Sequence, residues 1–368
     1  AAIDYVNRPD WPNLDPTPRN ETFIGVTAQD CGTGTTGDTC GNQTGRGPYG
    51  DGVENVVITN VHPTRLNVFG CSVDLHAANA SKPVVTIANS IGKVTVLDIH
   101  VWGSHVAGYL IENNDDLVVV KNSRSFGASG IGYWIKDDDV EITGAPEISG
   151  HDIGILVEGN NVKLRTNNDI VNNGIGIKIT GDDNESNGND VGKKGKPNGV
   201  GILVEGKGNL LHGDNVIYNT GDGIVVAGSG TSLDDGNFVT DEDTQYNGGD
   251  GIAVSGNYNT LDRNHQVKFN TGDGIEVSGS SNLLNENVAE ENVGHGINVS
   301  GNENTLKKNE PSLNGGDGIH VTGDRNVLDE NTADKNGGNG IKAVEDDGAE
   351  ANDLKKNRAR DNDLHGIL

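Results

Sequence analysis

The sequence predicts an all-β solenoid in which short parallel strands stack coil upon coil, with about 22 residues in each coil. Three observations predict it: a recurring Gly-Ile pair, strand-like alternation after each pair, and the absence of any sustained helical periodicity. The 55 glycines would also weaken helices. The isoleucines of the recurring pairs are Ile131, Ile155, Ile177, Ile202, Ile224, Ile252, Ile275, Ile297, Ile319, Ile341 and Ile367.

Each coil reads as three short strands joined by tight corners. The first strand has the pattern G-I-x-V-x-G, in which Ile275 and Val277 alternate with Glu276, as in a strand with one buried face. The second carries one apolar residue at a nearly constant distance before the next Gly-Ile pair. These residues are Leu164, Leu211, Val239, Leu261, Leu284, Leu306, Leu328 and Leu354.

Asparagine recurs at fixed places beside those leucines. Stacked coils bring equivalent residues to about 4.8 Å from one another, so such amides can hydrogen-bond from coil to coil, and Asn also tolerates the left-handed conformation of sharp corners. The sequence therefore predicts structural asparagine ladders rather than a binding role. The two sets are Asn259, Asn282, Asn304, Asn326 and Asn352, and Asn264, Asn287, Asn309, Asn331 and Asn357.

This repeat resembles the right-handed parallel β-helix repeats of the pectate-lyase-like superfamily, particularly the NosD-type and the carbohydrate-binding and sugar-hydrolase repeats. The resemblance covers residues 108–368 well and 53–107 loosely, and it implies a right-handed coil. The superfamily includes lyases, hydrolases, epimerases, phage tailspikes, adhesins and structural proteins, so it leaves function open. The histidines fall in different slots, so the copper site that the NosD resemblance suggests is not supported.

Two motifs invite comparison with polygalacturonase-like hydrolases, whose sites combine an aspartate pair with a G-H-G histidine. Here Gly294-His295-Gly296 and Asp182-Asp183 are separated by about five coils, or roughly 20 Å, whereas that site needs neighbouring coils. His295 occupies the slot that is Asp273 one coil earlier and Asp317 one coil later. The sequence therefore does not support a polygalacturonase site.

Three segments follow one another: residues 1–52 form an N-terminal arm and loop, 53–150 form irregular coils, and 151–368 form the regular shaft with an open C-terminal end. Cys31 and Cys40 bracket a Gly/Thr-rich stretch that a disulfide could close, with Cys71 left over. No C-x-x-C spacing indicates zinc.

The charge and the composition exclude some partners and favour a location. A net charge of −27 repels nucleic acid and anionic membranes, and no apolar run has membrane length. Ala1 stands where Met is expected and the sequence has no Met, which favours a processed secretory protein. We expect an extracellular or cell-surface protein.

The enzyme hypothesis rests on the irregular coils, where acid/base and aromatic residues lie close in sequence. Such a groove over residues 98–139 would suit a polysaccharide lyase, hydrolase or epimerase. The catalytic candidates are Asp98, His100, His105, Arg124, Lys136 and Asp137, and the substrate-binding candidates are Trp102, Tyr133 and Trp134.

The cation hypothesis rests on the G-D-G corner of successive coils. Asp222, Asp250, Asp273 and Asp317 supply oxygen ligands that suit Ca²⁺, although exposed turn aspartates that point apart also explain the pattern and are the simpler alternative. The spacing is not that of calcium β-rolls. No cofactor is required by this reading, and a calcium-dependent surface module is one alternative function.

The leading hypothesis from the sequence is a secreted structural or adhesive β-helix that associates with itself head to tail into a fibre. The last residues, Ile367 and Leu368, begin a strand that a second molecule could complete, with the N-terminal arm as the expected partner. Leu203, Val225 and Ala253 form an apolar stripe on the outward positions, where we expect a lateral contact. An extracellular polysaccharide is the alternative partner.

Overall fold

The computed structural model describes residues 83–104, 106–127, 129–344 and 351–368, together with the strands Ala2–Asp4, Glu21–Gly25, Val56–Thr59 and Arg65–His76. The described part of the protein is an all-β parallel solenoid of about 12 turns with about 23 residues per turn, and no described residue is helical. The predicted fold class is therefore confirmed. Two compact units divide the protein, Ala1–Asn168 and Asp169–Leu368.

In the first unit the strands form two parallel sheets. The first sheet contains β1 (Ala2–Asp4), β3 (Val56–Thr59), β5 (Val85–Ala88), β7 (Ala107–Glu112), β10 (Ile131–Ile135) and β13 (Ile153–Val157). The second contains β2 (Glu21–Gly25), β4 (Arg65–His76), β6 (Val94–Ser104), β8 (Val118–Lys121), β9 (Arg124–Gly127), β11 (Val140–Thr143), β12 (Ile148–Ser149) and β14 (Lys163–Arg165).

In the second unit every turn contributes three short strands, as predicted, and equivalent strands stack in three rows. Row one contains β16 (Ile175–Ile179), β19 (Val200–Val204), β22 (Ile224–Val226), β25 (Ile252–Val254), β28 (Ile275–Val277), β31 (Ile297–Val299), β34 (Ile319–Val321) and β37 (Ile341–Ala343). Row two contains β17 (Glu185–Asn187), β20 (Leu210–His212), β23 (Phe238–Thr240), β26 (Thr260–Asp262), β29 (Leu283–Asn285), β32 (Thr305–Lys307), β35 (Val327–Asp329) and β38 (Asp353–Lys355). Row three contains β15 (Ile170–Val171), β18 (Asp190–Val191), β21 (Asn215–Ile217), β24 (Asp243–Gln245), β27 (Gln266–Lys268), β30 (Val288–Glu290), β33 (Glu310–Ser312), β36 (Thr332–Asp334) and β39 (Arg358–Arg360).

The core consists of the inward position of each strand. In row one Ile275 and Val277 are fully buried while Glu276 between them faces outward, and the register joins Ile275 to Ile297 in the next turn. Row two contributes Leu284 and row three Ala289, both also fully buried. Each turn thus buries only a few side chains, so its apolar surface is covered by the turns above and below.

Three columns of buried amides connect the turns of the second unit. In each column the side-chain oxygen of one residue accepts the backbone N–H of the equivalent residue in the preceding turn, as Asn209 Oδ1 accepts from Asn184 at 2.9 Å. The two predicted ladders are confirmed, and a third runs from Asn173 through Asn198, Asn219, Asn247, Asn270, Asn292, Asn314 and Asn336 to Asn362. These amides satisfy polar groups that the corners would otherwise leave buried without partners.

The glycine that follows each row-one strand is required by close approach of the backbone. A Cβ atom on Gly279 would lie 1.9 Å from the carbonyl oxygen of Gly256 in the preceding turn, and one on Gly301 would lie 1.8 Å from that of Gly279. The same contact recurs at Gly228 and Gly256. Any side chain here would force two turns apart.

Among the residues that the structure describes, no helix has the length and apolarity needed to span a membrane.

Candidate functional site

The catalytic candidates of the first unit are placed on two different sheets. His100 and Trp102 lie on β6 and Arg124 lies on β9, both in the second sheet, where His100 is in register with Arg124. Trp134 lies on β10 in the first sheet, and Lys136 follows that strand. These residues are close in sequence, but the backbone turns a corner between the two sheets and separates them. The structure therefore does not unite them in one groove.

Each of the two groups is engaged in contacts of its own. His100 Nε2 lies 3.4 Å from Asp98 Oδ1, and the Trp102 ring stacks on Phe126 at 4.1 Å between centroids. On the other sheet Lys136 Nζ lies 4.0 Å over the Trp134 ring, and Lys136 also approaches Glu112 at 3.7 Å. The ammonium covers the indole face that a sugar would stack on.

Two candidates of the first unit are structural rather than exposed, which corrects the sequence-based expectation. Tyr133 is fully buried, stacks on Tyr109 at 4.4 Å and donates its hydroxyl to the Ser123 carbonyl at 2.8 Å. Asp137 is 8% exposed and accepts from both the backbone and the side-chain nitrogen of Asn114 at 2.8 and 2.7 Å. Burial raises the pKa of Asp137. Successive strand residues alternate between the two faces, and both of these residues fall on the inward one.

Three further expectations lie outside the described residues: the catalytic candidate His105 and the disulfide candidates Cys31 and Cys40.

An exposed aromatic column in the second unit was missed by sequence reasoning. Tyr218, Tyr246 and Phe269 follow β21, β24 and β27, and their rings stack at 4.8 and 4.9 Å. All three adopt positive φ, between 57° and 58°, at the corner after row three. Because each ring covers the face of its neighbour, the column presents edges to solvent and offers no continuous platform for a sugar ring. The sequence did contain a signal for this column, because an aromatic residue recurs once per turn in these three turns.

The second unit carries a row of ionisable side chains along one edge of row one, which we name the titratable face. It consists of the corner residues Asp222, Asp250, Asp273, His295 and Asp317 and the outward row-one residues Glu276, Asn298 and His320. The corner residues form a ladder of their own: Asp250 Oδ1 accepts the Asp273 N–H at 2.6 Å, and Asp273 Oδ1 accepts the His295 N–H at 2.6 Å.

A diagonal contact pairs each corner residue with the outward residue of the following turn. Asn298 Nδ2 donates to Asp273 Oδ2 at 2.9 Å, and the rings of His295 and His320 meet with 3.2 Å between Nε2 and Nδ1. The spacing within both pairs is 25 residues, one turn plus three. The sequence contained this spacing, but only the geometry of the corner shows that these positions meet.

Asp250 and Glu276 form the carboxyl pair of the titratable face. Burial raises the pKa of Asp250 to about 7, and the hydrogen bond with Glu276 adds to that rise because it requires one proton between the two groups. Both residues are half-buried and face outward rather than into the core. The raised pKa of Asp250 and its outward position are what a general acid requires.

His295, Asp317 and His320 place possible metal ligands within 4.8 Å of one another. The hydrogen bonds weigh against a metal at this place. His295 Nδ1 accepts the Asp317 N–H at 2.8 Å, so a neutral His295 carries its proton on Nε2 and donates it to His320 Nδ1. Both lone pairs needed for coordination are then occupied, and burial together with His295 lowers the pKa of His320. The arrangement fits a neutral hydrogen-bonded pair.

The predicted calcium ligands are only partly brought together. Asp222, Asp250 and Asp273 stand in successive turns, each with Oδ1 accepting a backbone N–H of the next corner residue. Asp317 is separated from them by His295, and its Oδ1 accepts from the backbone N–H and the side-chain Nδ2 of Asn339. One oxygen of each carboxylate is thus already used. Binding of Ca²⁺ by the remaining oxygens stays a prediction.

The residues expected in self-association are placed as follows. Leu203, Val225 and Ala253 are in direct register on β19, β22 and β25 and are half-buried, so they form a continuous apolar patch on row one beside the titratable face. Ile367 bridges Ile341, and Ile367 and Leu368 are 48% and 57% exposed.

The C-terminal third of the sequence matches a known family model. Residues 250–368 match the family model described as the right-handed beta helix region, so the repeat predicted from the sequence is confirmed for that part of the protein. No curated protein matches the sequence.

Several solved structures are similar to this protein at low identity. The periplasmic alginate epimerase AlgG is 16% identical over 85% of this chain and 77% of its own, with a TM-score of 0.43. The A-module of the Azotobacter vinelandii mannuronan C-5 epimerase AlgE4 is 13% identical over 83% and 87% of the two chains, with a TM-score of 0.43. The tailspike protein of E. coli bacteriophage HK620 is 12% identical over 86% and 72%, with a TM-score of 0.37.

Proposed function

We propose that this β-helix protein binds and processes an extended polysaccharide along the outward face of row one in the second unit. The observation that carries the proposal is the placement of Asp250 and Glu276 in adjacent turns, both half-buried and outward, where burial raises the pKa of Asp250 to about 7. The enzyme alternative drawn from the sequence is thus retained, but its site moves from residues 98–139 to the titratable face.

The chemistry follows from what surrounds the pair. Val225 and Ala253 precede Glu276 on the row-one face and offer an apolar floor for the C–H face of a sugar ring. Asp250 supplies a proton to the glycosidic oxygen as that oxygen leaves the ring carbon. Asp273, whose two oxygens accept from His295 and Asn298, lies one turn further along the same edge.

Charge favours an uncharged polymer over an acidic one. The protein has a net charge of −27, and the corner edge of the face contributes four aspartates in five turns. A polyanion would meet these carboxylates without compensating cations. An uncharged polymer of this kind is met outside the cell, so secretion is part of the proposal.

The test incubates the purified protein with neutral, acidic and amino polysaccharides. New reducing ends report hydrolysis, absorbance of an unsaturated product reports elimination, and exchange of ring protons in D₂O reports epimerisation. We expect turnover of a neutral polymer that Glu276→Gln reduces at least tenfold. Glu286→Gln, an exposed acid paired with Lys308 on a corner away from row one, is the matched control and should leave the rate unchanged. No turnover and no binding across the panel would refute the proposal.

Self-association is the second candidate function, and the apolar patch of Leu203, Val225 and Ala253 is the observation that favours it. A second copy seated on this patch would bury the same surface that the first candidate assigns to a sugar. Sedimentation velocity of the native protein and of Leu203→Glu separates the two. Oligomers that Leu203→Glu dissociates would favour self-association, whereas monomers at all concentrations would exclude contact through this patch.

A further inference from the structure

One of the amide columns of the second unit is interrupted by two acids. The column follows row two and consists of Asn189, Asp214, Glu242, Asn264, Asn287, Asn309, Asn331 and Asn357. Asp214 and Glu242 occupy consecutive rungs and are 0% and 1% exposed. They lie away from the titratable face, and no part of the proposed function uses them.

The neighbouring rungs show what an amide does at this position. Asn287 Oδ1 accepts the Asn264 N–H at 3.1 Å, while its Nδ2 donates both to the Leu261 carbonyl of the preceding turn and to Asn309 Oδ1 of the next, at 3.0 Å each. Every rung therefore needs one acceptor atom and one donor atom. An ionised carboxylate supplies two acceptors and no donor.

Asp214 and Glu242 fulfil only the acceptor half of this pattern. Asp214 Oδ1 accepts the Asn189 N–H at 2.7 Å and its Nδ2 at 2.9 Å, and Glu242 Oε2 accepts the Asp214 N–H at 3.1 Å. Their other oxygens, Asp214 Oδ2 and Glu242 Oε1, are buried and find no hydrogen-bond partner among the described residues. These two oxygens stand where an asparagine rung places its donor nitrogen.

We propose that Asp214 and Glu242 form a buried proton-binding site, in which protonated carboxyl oxygens replace the missing amide donors and hold the two turns together. Asn264 and Asn287 each donate to a backbone carbonyl of the preceding turn. The equivalent carbonyls for Asp214 and Glu242 belong to Ser186 and Leu211, and they are the expected acceptors for the protonated carboxyls. A proton, unlike a larger cation, can bind between the two turns without a cavity. Loss of the proton leaves two adjacent buried negative charges.

The surroundings favour the protonated form. Among the charged neighbours of the pair, Asp241 and Asp243 raise the pKa of Glu242. His212 acts in the opposite direction, because it lowers the pKa of Asp214. Burial is the largest cause for both acids and raises the pKa of Asp214 to about 6 and that of Glu242 well above its ordinary value. Because both folded-state pKa values are raised, their contribution to stability is complete below about pH 4 and is lost as the pH rises through about 6 and beyond.

The experiment compares Asp214→Asn and Glu242→Gln with the native protein in thermal melts from about pH 4 to about pH 9. Each variant supplies the amide donor that the column uses elsewhere, so we expect equal melting temperatures at the acidic end and variants more stable by several degrees at the alkaline end. Glu310→Gln, which changes an exposed carboxyl of row three far from the pair, is the matched control. The Glu310→Gln substitution should change the melting temperature by the same amount at acidic and at alkaline pH.

A second measurement keeps the inference testable if a variant folds poorly. The carboxyl carbons of the aspartates and glutamates in the native protein are followed by NMR across the same pH range. Besides Asp250, two carboxyls should titrate at or above about pH 6, and each variant should remove one of them from that range. Titration of both acids at their ordinary values, or variants that gain no stability at high pH, would overturn the proposal.

Discussion

Asn287 and Asn309 lie one turn apart and are joined twice: Asn309 Oδ1 accepts the Asn287 backbone N–H and its side-chain Nδ2, both at 3.0 Å. Both residues are fully buried. The side chain of one turn thus replaces the strand pairing that the backbone cannot continue around a corner. Corners in this protein are held as firmly as strands.

The first prediction removes one rung. In Asn287→Leu the Leu261 carbonyl and the Asn264 N–H lose their partner while they remain buried. We expect a loss of about 3 kcal/mol in the free energy of unfolding, measured by urea titration. Asn285→Leu changes an outward amide that donates to Asp262 in the preceding turn, and it should cost less than about 1 kcal/mol. Equal losses would show that the column contributes no more than a surface bond.

The second prediction tests backbone contact at Gly279. An added methyl group would lie 1.9 Å from the Gly256 carbonyl oxygen, which belongs to the backbone and cannot move aside. Gly279→Ala should therefore cost at least about 3 kcal/mol in the free energy of unfolding. Gly213→Ala is the control, because Gly213 has a positive φ but open space around its Cβ position, and it should cost about 1 kcal/mol. Similar losses for the two variants would contradict the close approach at Gly279.

The third prediction separates stacking from backbone strain at Tyr246. This residue is 43% exposed, stacks on two rings and has a φ of 57°. Tyr246→Ala loses both stacks and keeps the left-handed backbone, which costs an alanine about 1 kcal/mol. Tyr246→Gly loses the same stacks but adopts the left-handed backbone without strain, so it should be the more stable of the two variants in chemical denaturation. The reverse order would contradict the left-handed assignment of this corner.

The fourth prediction concerns the proton held by Asp250 and Glu276. Glu276→Gln removes the neighbouring carboxyl that helps to raise the pKa of Asp250 and supplies an amide donor in its place. We expect the Asp250 carboxyl, followed by NMR, to titrate well below its native value of about 7. An unchanged titration would mean that burial alone sets the pKa.

The fifth prediction addresses calcium at Asp222, Asp250 and Asp273. A cation present at a hundred times its dissociation constant would add about 2.7 kcal/mol of stability. Because each carboxylate already accepts a backbone N–H and Asp250 shares a proton with Glu276, we expect the same melting temperature with calcium, magnesium or chelator at matched ionic strength. A rise of several degrees with calcium alone would establish a site.

Much of the fold can be predicted from the sequence, because the same positions must be buried in every turn of the repeat. Ile275 and Leu284 must be buried wherever they recur, and the asparagine beside Leu284, Asn282, donates its backbone N–H to its own copy in the next turn. Even the two acids in the amide column are visible, since Asp214 and Glu242 stand three residues after Leu211 and Val239, where later turns have Asn.

The candidate site was less predictable because nearness in sequence differs from nearness on a solenoid. Arg124 and Trp134 are ten residues apart but lie on different sheets, whereas Asp273 and Asn298 are 25 residues apart and hydrogen-bond. Which sheet a residue joins depends on where the corner falls, and the irregular turns of the first unit have no repeat to mark their corners.

The amide columns have one further consequence, which concerns their direction. In the column of Asn264, Asn287 and Asn309, the amide nitrogen of each side chain donates toward the next turn and the amide oxygen faces the preceding one. Their dipoles therefore add, with the positive end toward the later turns, as peptide dipoles add along an α-helix. Asp214 and Glu242 interrupt this alignment. The aligned run of amides therefore begins at Asn264, and each turn added to it strengthens the bonds of the turns already there.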